Sequence, residues 1–332
     1  MIRQTAKTHR LPWRNAVAPY ETPVLSRSVW QVILSVGPYI FVWYLAYRSL
    51  QASYWITLAL AVVAAGFLVR AFIILHDCGH GAFFKSQRAG DVLGTIIGYM
   101  TFTPYHRWRY DHAVHHASCG DLDRRSVGDI WTLTVDEYRK SPAWKRLCYR
   151  FYRNPFVLFI PLPLLLFVAG HRFTWGVRTA RERRSVHQTN LAIASIVALA
   201  GMTIGIRVFV LVQLPIMMIA ASAGVWLFYV QHQFDGVYWE RHEKWDYVRA
   251  ALEGCSYYKL PRLLQWFTGN IGFHHVHHLG PRIPNYNLEK CRRENPIFSS
   301  VQPLTLSSSL KTASLRLWDE EQRRLVGFPS SH

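Results

Sequence analysis

Acidic residues are scarce in this sequence, and over long stretches charge of either sign is missing altogether. The 332 residues carry 20 Asp+Glu against 38 Lys+Arg, a formal charge of +18. Half of the chain is hydrophobic, which excludes the polar, highly charged composition of a disordered polymer. Cysteine is sparse too. Cys78, Cys119, Cys148, Cys255 and Cys291 are odd in number and widely spaced, with no Cys-x-x-Cys pair. They read as reduced cytosolic thiols, neither a disulfide framework nor a zinc knuckle. No His-Glu-x-x-His of a zinc hydrolase and no Gly-rich dinucleotide fingerprint occurs. Basic runs such as Arg181 to Arg184 lack interleaved aromatics, so they read as surface facing lipid headgroups, and no nucleic-acid partner is expected.

Five stretches hold no Asp, Glu, Lys or Arg: Val29 to Tyr47, Ala52 to Val69, Pro155 to Gly170, Gln188 to Ile206 and Val208 to Gln231. A helix needs roughly 20 such residues to cross a bilayer. The first two, with Arg48 at their turn, predict one transmembrane hairpin; the last two, turning at Arg207, predict another. Pro155 to Gly170 is shorter and carries Pro155, Pro161 and Pro163, and Val92 to Tyr105 is shorter still, so both are expected to be interfacial or re-entrant. The expected class is an all-α integral membrane protein with four spans, interfacial helices and a helical cap. Arg3, Lys7, Arg10, Arg14 and Arg27 make the first 28 residues a basic arm, and with Lys and Arg held cytoplasmic both termini face that side. No removable signal peptide is expected. The segments read as an arm over 1–28, one membrane domain over 29–288 and a cytoplasmic tail over 289–332.

The sixteen histidines are not scattered. Nine fall in three five-residue windows, His76 to His80, His112 to His116 and His274 to His278. His76 and His80 share a helical face at i and i+4. His112, His115 and His116, and likewise His274, His277 and His278, do so at i, i+3 and i+4. Two hairpins put all three windows on one side of the bilayer, together with His232 at the end of the last apolar stretch. Eight or nine imidazoles exceed the four ligands of a tetrahedral zinc, so two metals are the economical reading. The candidate ligands are His76, His80, His112, His115, His116, His232, His274, His277 and His278. Asp77, Asp111, Asp235 and Asn270 are near enough in sequence to orient them. His9, His171, His187, His242 and His332 are expected to be ordinary interfacial or surface residues, whereas His106 and His275 fit either role.

The windows HDCGH, HAVHH and HHVHH, in this order relative to the hairpins, resemble the integral-membrane fatty acid desaturases from about Ser28 to Leu288. HRWRYDHAVHHASCGDLDRRSVGDIW and GNIGFHHVHHLGPRIPNYNL resemble the acyl-lipid, Δ12 or ω-6 branch. The acyl-CoA branch has one more residue between the histidines of its first box and an asparagine four residues before its extra histidine. Here three residues separate His76 from His80, and Phe228 stands four before His232. The resemblance implies a non-haem di-iron centre as the catalytic group, O2 as oxidant and a membrane lipid acyl chain entering an apolar tunnel between the hairpins. No His-Pro-Gly-Gly haem segment is present, so electrons are expected from an external donor such as ferredoxin or cytochrome b5. A bacterial inner membrane with a cytoplasmic active site is the expected location.

Two alternatives stand beside this. A carotenoid or alkane hydroxylase or ketolase of the same superfamily would use the same boxes to insert oxygen, although the Glu-containing first box of the alkane enzymes is absent. A membrane metal-binding or metal-transport protein would place ligands inside the spans, where Val29 to Tyr47 and Gln188 to Ile206 hold no histidine or carboxylate.

Overall fold

The computed structural model describes residues 12–125 and 128–329; Arg3, Lys7, His9 and Arg10 of the basic arm, and His332, lie outside the described residues. Seven helices position the site: α1 (Leu25–Ser49), α2 (Tyr54–Gly79), α3 (Gln87–Met100), α4 (Tyr105–Ser118), α5 (Ala180–Thr203), α6 (Ile206–His232) and α7 (His274–Leu279). Hairpins α1–α2 and α5–α6 are the two expected from the uncharged stretches. Their core joins α1, α2 and α6 through Tyr39, Val42, Ala61, Ala65, Val212 and Ile216. Gln213 of α6 adds a polar tie, accepting from the Trp43 indole at 2.8 Å and from Tyr39 Oη at 3.3 Å. Satisfying that side chain inside the apolar core avoids the cost of an unpaired buried amide.

By length and apolarity alone, the segments able to cross a membrane are α1, α2, Pro155–Arg172 and α6. α5, expected as a span, is less apolar because Arg181, Glu182, Arg183 and Arg184 occupy its first turns. The connections of α5 and Pro155–Arg172 differ. Pro155–Arg172 is not one helix but two short ones, Pro155–Phe159 and Pro161–Val168, followed by the turn Gly170–Arg172. Both of its ends are tied to the histidine-bearing end of the bundle. Before it, Arg153 donates to Gln233 Oε1 at 3.0 Å, beside His232. After it, the carbonyl of Phe173 accepts from Arg107 of α4 at 2.5 Å. Both ends of the segment therefore sit toward the histidine-bearing end of the bundle, although its length and apolarity alone would let it cross. α5 instead starts against α4, where the His106 amide donates to Ser185 Oγ at 3.1 Å, and turns at Gly205 into α6, which ends at His232.

The cap is not purely helical. β1 (Leu133–Thr134) pairs in parallel with β4 (Leu317–Asp319), which pairs antiparallel with β5 (Arg324–Val326); β2 (Tyr257–Lys259) pairs in parallel with β3 (Pro303–Thr305). Strands of two or three residues, most of them with partners far away in sequence, leave no periodic signal. Arg153, 1% exposed, clamps this layer to α6 by donating to Thr132 Oγ1, Tyr229 Oη, Gln233 Oε1 and the Leu315 carbonyl.

Candidate metal centre

The histidines come from element ends and one helix face. His76 lies in the last turn of α2 and His80 just past it; α4 carries His112, His115 and His116; α6 ends on His232; α7 carries His274, His277 and His278. The backbone geometry that brings α4 against α2 depends on small residues in α3. A Cβ on Gly94 would stand 2.3 Å from the Tyr105 ring, and one on Gly98 would stand 2.4 Å from the Thr103 carbonyl. Only glycine permits so close an approach of α3 to the start of α4.

Two groups result. His76, His80, His112, His116 and His277 place donor nitrogens within 4.8 Å of one another, and His115, His232 and His278 form a second group with Cys119. His274 joins the second, its Nε2 lying 3.0 Å from His232 Nε2. The faces read from spacing are thus divided: His112 and His116 serve one group and His115 the other, with His277 and His278 split likewise. At about 100° per residue, positions i and i+4 are about 40° apart while i+3 lies about 60° to the other side, so one helix can supply both neighbours along a seam.

Burial holds His80, His112, His116, His274, His277 and His278 well below the usual imidazole range, and neighbouring imidazoles push the same way. These rings are neutral near pH 7, each with one lone pair to offer. Burial acts alike on His115, but the hydrogen bond and charge of Asp129 outweigh it and raise its pKa. His115 Nδ1 is 2.5 Å from Asp129 Oδ1. His76 Nδ1 is 3.1 Å from Asp77 Oδ1, and Asp77 Oδ2 accepts from the amide and the side chain of Asn285, both at 2.8 Å. Asn270 donates to the Asn285 carbonyl at 3.1 Å, so it acts on His76 through two intermediates. His232 Nδ1 faces the Cys119 thiol at 3.2 Å.

The donor set passes a test of fit for metal ions. His116 Nε2 lies 3.2 Å from His112 Nε2 and 3.0 Å from His277 Nε2, and His232 Nε2 lies 3.1 Å from His115 Nε2. Two nitrogens bound to one ion at about 2.1 Å, at right angles, stand about 3 Å apart. Nε2 of His76, His80 and His278 is buried with no hydrogen-bond partner among the described residues, a cost of about 1–3 kcal/mol each without a ligand.

Of the remaining residues, Asp111 pairs with Arg107 at 3.8 Å and not with an imidazole, and Asp235 is exposed. His275 joins neither group and packs between Tyr257 and Phe298; His106 stacks edge-on against Tyr105. Asp129, Asn285 and Cys119 were missed as partners. Asp129 lies within the stretch that resembles the desaturases, but nothing local to it points at His115.

A cavity of about 490 Å³ ends on His76, His112, His115 and His274. Its walls are mostly apolar, from Phe72 and Ile73 of α2, Met217 and Gly224 of α6, and Leu162 and Leu166 of Pro155–Arg172, with Thr101, Arg107, Asp111 and His171 among the polar lining. That volume lies in the usual range for a small-molecule site.

Comparison with known proteins agrees with this geometry. The family model described as "Fatty acid desaturase" matches residues 52–299. The chain is 46% identical to a fatty acid desaturase of Bacillus subtilis over 99% of this chain and 93% of that protein. It is 28% identical to the sn-1 oleoyl-lipid 12-desaturase of Synechocystis, covering 67% of this chain and 63% of that one. A sn-1 acyl-lipid omega-3 desaturase (ferredoxin) of the same organism is 26% identical, over 86% and 80%.

Proposed function

The chain belongs to the fatty acid desaturase family, and from that premise we propose that it introduces a cis double bond into a lipid-borne acyl chain at a histidine-held di-iron centre. It is a multi-pass membrane oxidoreductase that desaturates acyl chains. In this reading His76, His80, His112, His116 and His277 hold one iron, and His115, His232, His274 and His278 the other. The irons supply the activation of O2 that an unactivated methylene requires.

The protein's share is placement and exclusion of water. The apolar walls align the chain beside the imidazoles and keep solvent away from the reacting carbons. Asp77, held by Asn285, and Asp129 accept the Nδ1 protons of His76 and His115, so that the Nε2 lone pairs point inward. Electrons come from an external one-electron carrier; the ferredoxin in one relative's name and the basic charge of this chain favour an acidic one. The centre, the basic arm of 1–28 and the tail of 289–332 face the cytoplasm, with 29–288 as the catalytic unit in a bacterial inner membrane.

The observation that carries the reading is the cavity, which starts among the spans and ends on imidazoles of both groups. Fatty-acid profiling of a host expressing the chain tests it, alongside metal analysis of the purified protein. A new unsaturated acid with about two irons per chain is expected. An oxygenated product would sink the assignment to desaturation.

A further inference from the structure

Beside the tunnel, a polar contact lies between solvent and the second histidine group. Asp121 is 2% exposed, and its Oδ2 lies 2.7 Å from Nδ1 of His242, whose side chain is 44% exposed. On its inner side Asp121 lines a small cavity of about 30 Å³ together with His115, Asp129, Cys119 and His232. A cavity needs about 10–15 Å³ to hold a water, so this one has room for water between the carboxylate and the second histidine group. The pair is held rigidly. Leu122 N donates to the Glu240 carbonyl at 3.0 Å, Glu240 N to the Gly120 carbonyl at 2.9 Å, and the Trp245 indole to the Cys119 carbonyl at 2.9 Å.

We propose that His242 and Asp121 are the relay by which protons enter the centre. This rests on the desaturation reading, whose balance is R–CH2–CH2–R′ + O2 + 2 e⁻ + 2 H⁺ giving R–CH=CH–R′ + 2 H2O. The external carrier supplies the electrons, and the protons must come from solvent. A proton taken up by the His242 ring leaves from Nδ1 to Asp121 Oδ2, crosses the small cavity through water and arrives beside Asp129 and His115. Two pass per turnover. The charges around the pair are balanced: Asp123 accepts from the His242 amide and from Arg241, Arg241 forks onto Glu320, Arg323 pairs with Glu240, and Arg124 Nε stands 3.9 Å from Asp121. Arg125 also lines the cavity, facing Glu137.

The test compares His242→Ala, His242→Gln and Asp121→Asn with the unaltered, iron-loaded protein supplied with reduced carrier and acyl lipid. Expected are a fall in kcat of about 10-fold or more, unchanged KM for lipid and carrier, unchanged iron per chain and a larger solvent deuterium isotope effect. Added imidazole should restore much of the rate of His242→Ala. In chelator-treated protein, Asp121→Asn should abolish the hydrogen-bonded Nδ1 proton resonance of His242. Full kcat in His242→Gln would show a purely structural tie and overturn the relay. So would a loss of kcat in His242→Ala that imidazole does not restore, or a rise in KM for the carrier at unchanged kcat. If the unaltered protein forms no olefin, the desaturation reading fails instead.

Discussion

Single residues behind the imidazoles set how well the site can hold metal. Asp129 and Asp77 fix the tautomers of His115 and His76, which are proposed ligands of different ions. Substituting Asn keeps the size but offers an amide where a carboxylate accepted the ring proton. Asp129→Asn and Asp77→Asn should each weaken iron binding about 10- to 100-fold, measured by competition with a chelator. His115→Ala should abolish activity while the protein still inserts, whereas His187, which is exposed on α5, should tolerate alanine with no change. Retained turnover in His115→Ala would remove it from the ligand set. Spacing in the sequence was enough to find the nine candidate histidines, because i, i+3 and i+4 repeats are a local property of a helix. Asp77 was legible beside His76, but the distant partners were not: Asn285 reaches Asp77 across 208 positions, and neither residue carries a mark of the other.

At the level of elements, α6 does most to shape the tunnel, since one face packs on α2 and another is left open to the cavity. Gly224 sits on that open face, and a Cβ added there meets nothing within 4 Å. Gly224→Leu should therefore fold without a clash and fill tunnel space, shifting the product profile toward shorter acyl chains with iron content unchanged. An unaltered chain-length profile would mean the acyl chain does not pass α6 there. The hairpins were legible as uncharged stretches; the start of α5 at Ala180 was not, because its first turns are polar and lie against the cap.

For the whole molecule, the membrane path is constrained by the centre itself. His116 and His232 belong to groups joined through α4, so the chain between them must cross the bilayer an even number of times. With both ends of Pro155–Arg172 tethered near the histidines, the expectation is that α5 and α6 make those two crossings. Cys148 is exposed, and the four other cysteines are buried, which allows a labelling test. In intact cells an impermeant thiol reagent should modify Gln51→Cys at the α1–α2 turn but not Cys148 or Thr174→Cys; in inverted vesicles the pattern should reverse. Labelling of Thr174→Cys together with Gln51→Cys would make Pro155–Arg172 a true span.

Much of this protein is determined by its sequence alone: the spans by runs without charge, the candidate ligands by helical spacing, and the family resemblance by three histidine windows whose order and spacing are read directly. These are local or compositional patterns, and each survives without knowledge of any neighbour. Tertiary structure decided the rest. It divided each window between two groups, placed Asp129, Asn285 and Cys119 behind their imidazoles, closed the small sheets of the cap and turned His242 from an ordinary surface residue into the partner of a buried carboxylate. Those features join residues up to hundreds of positions apart, and only the packing of helix ends at one face of the bundle brings them together.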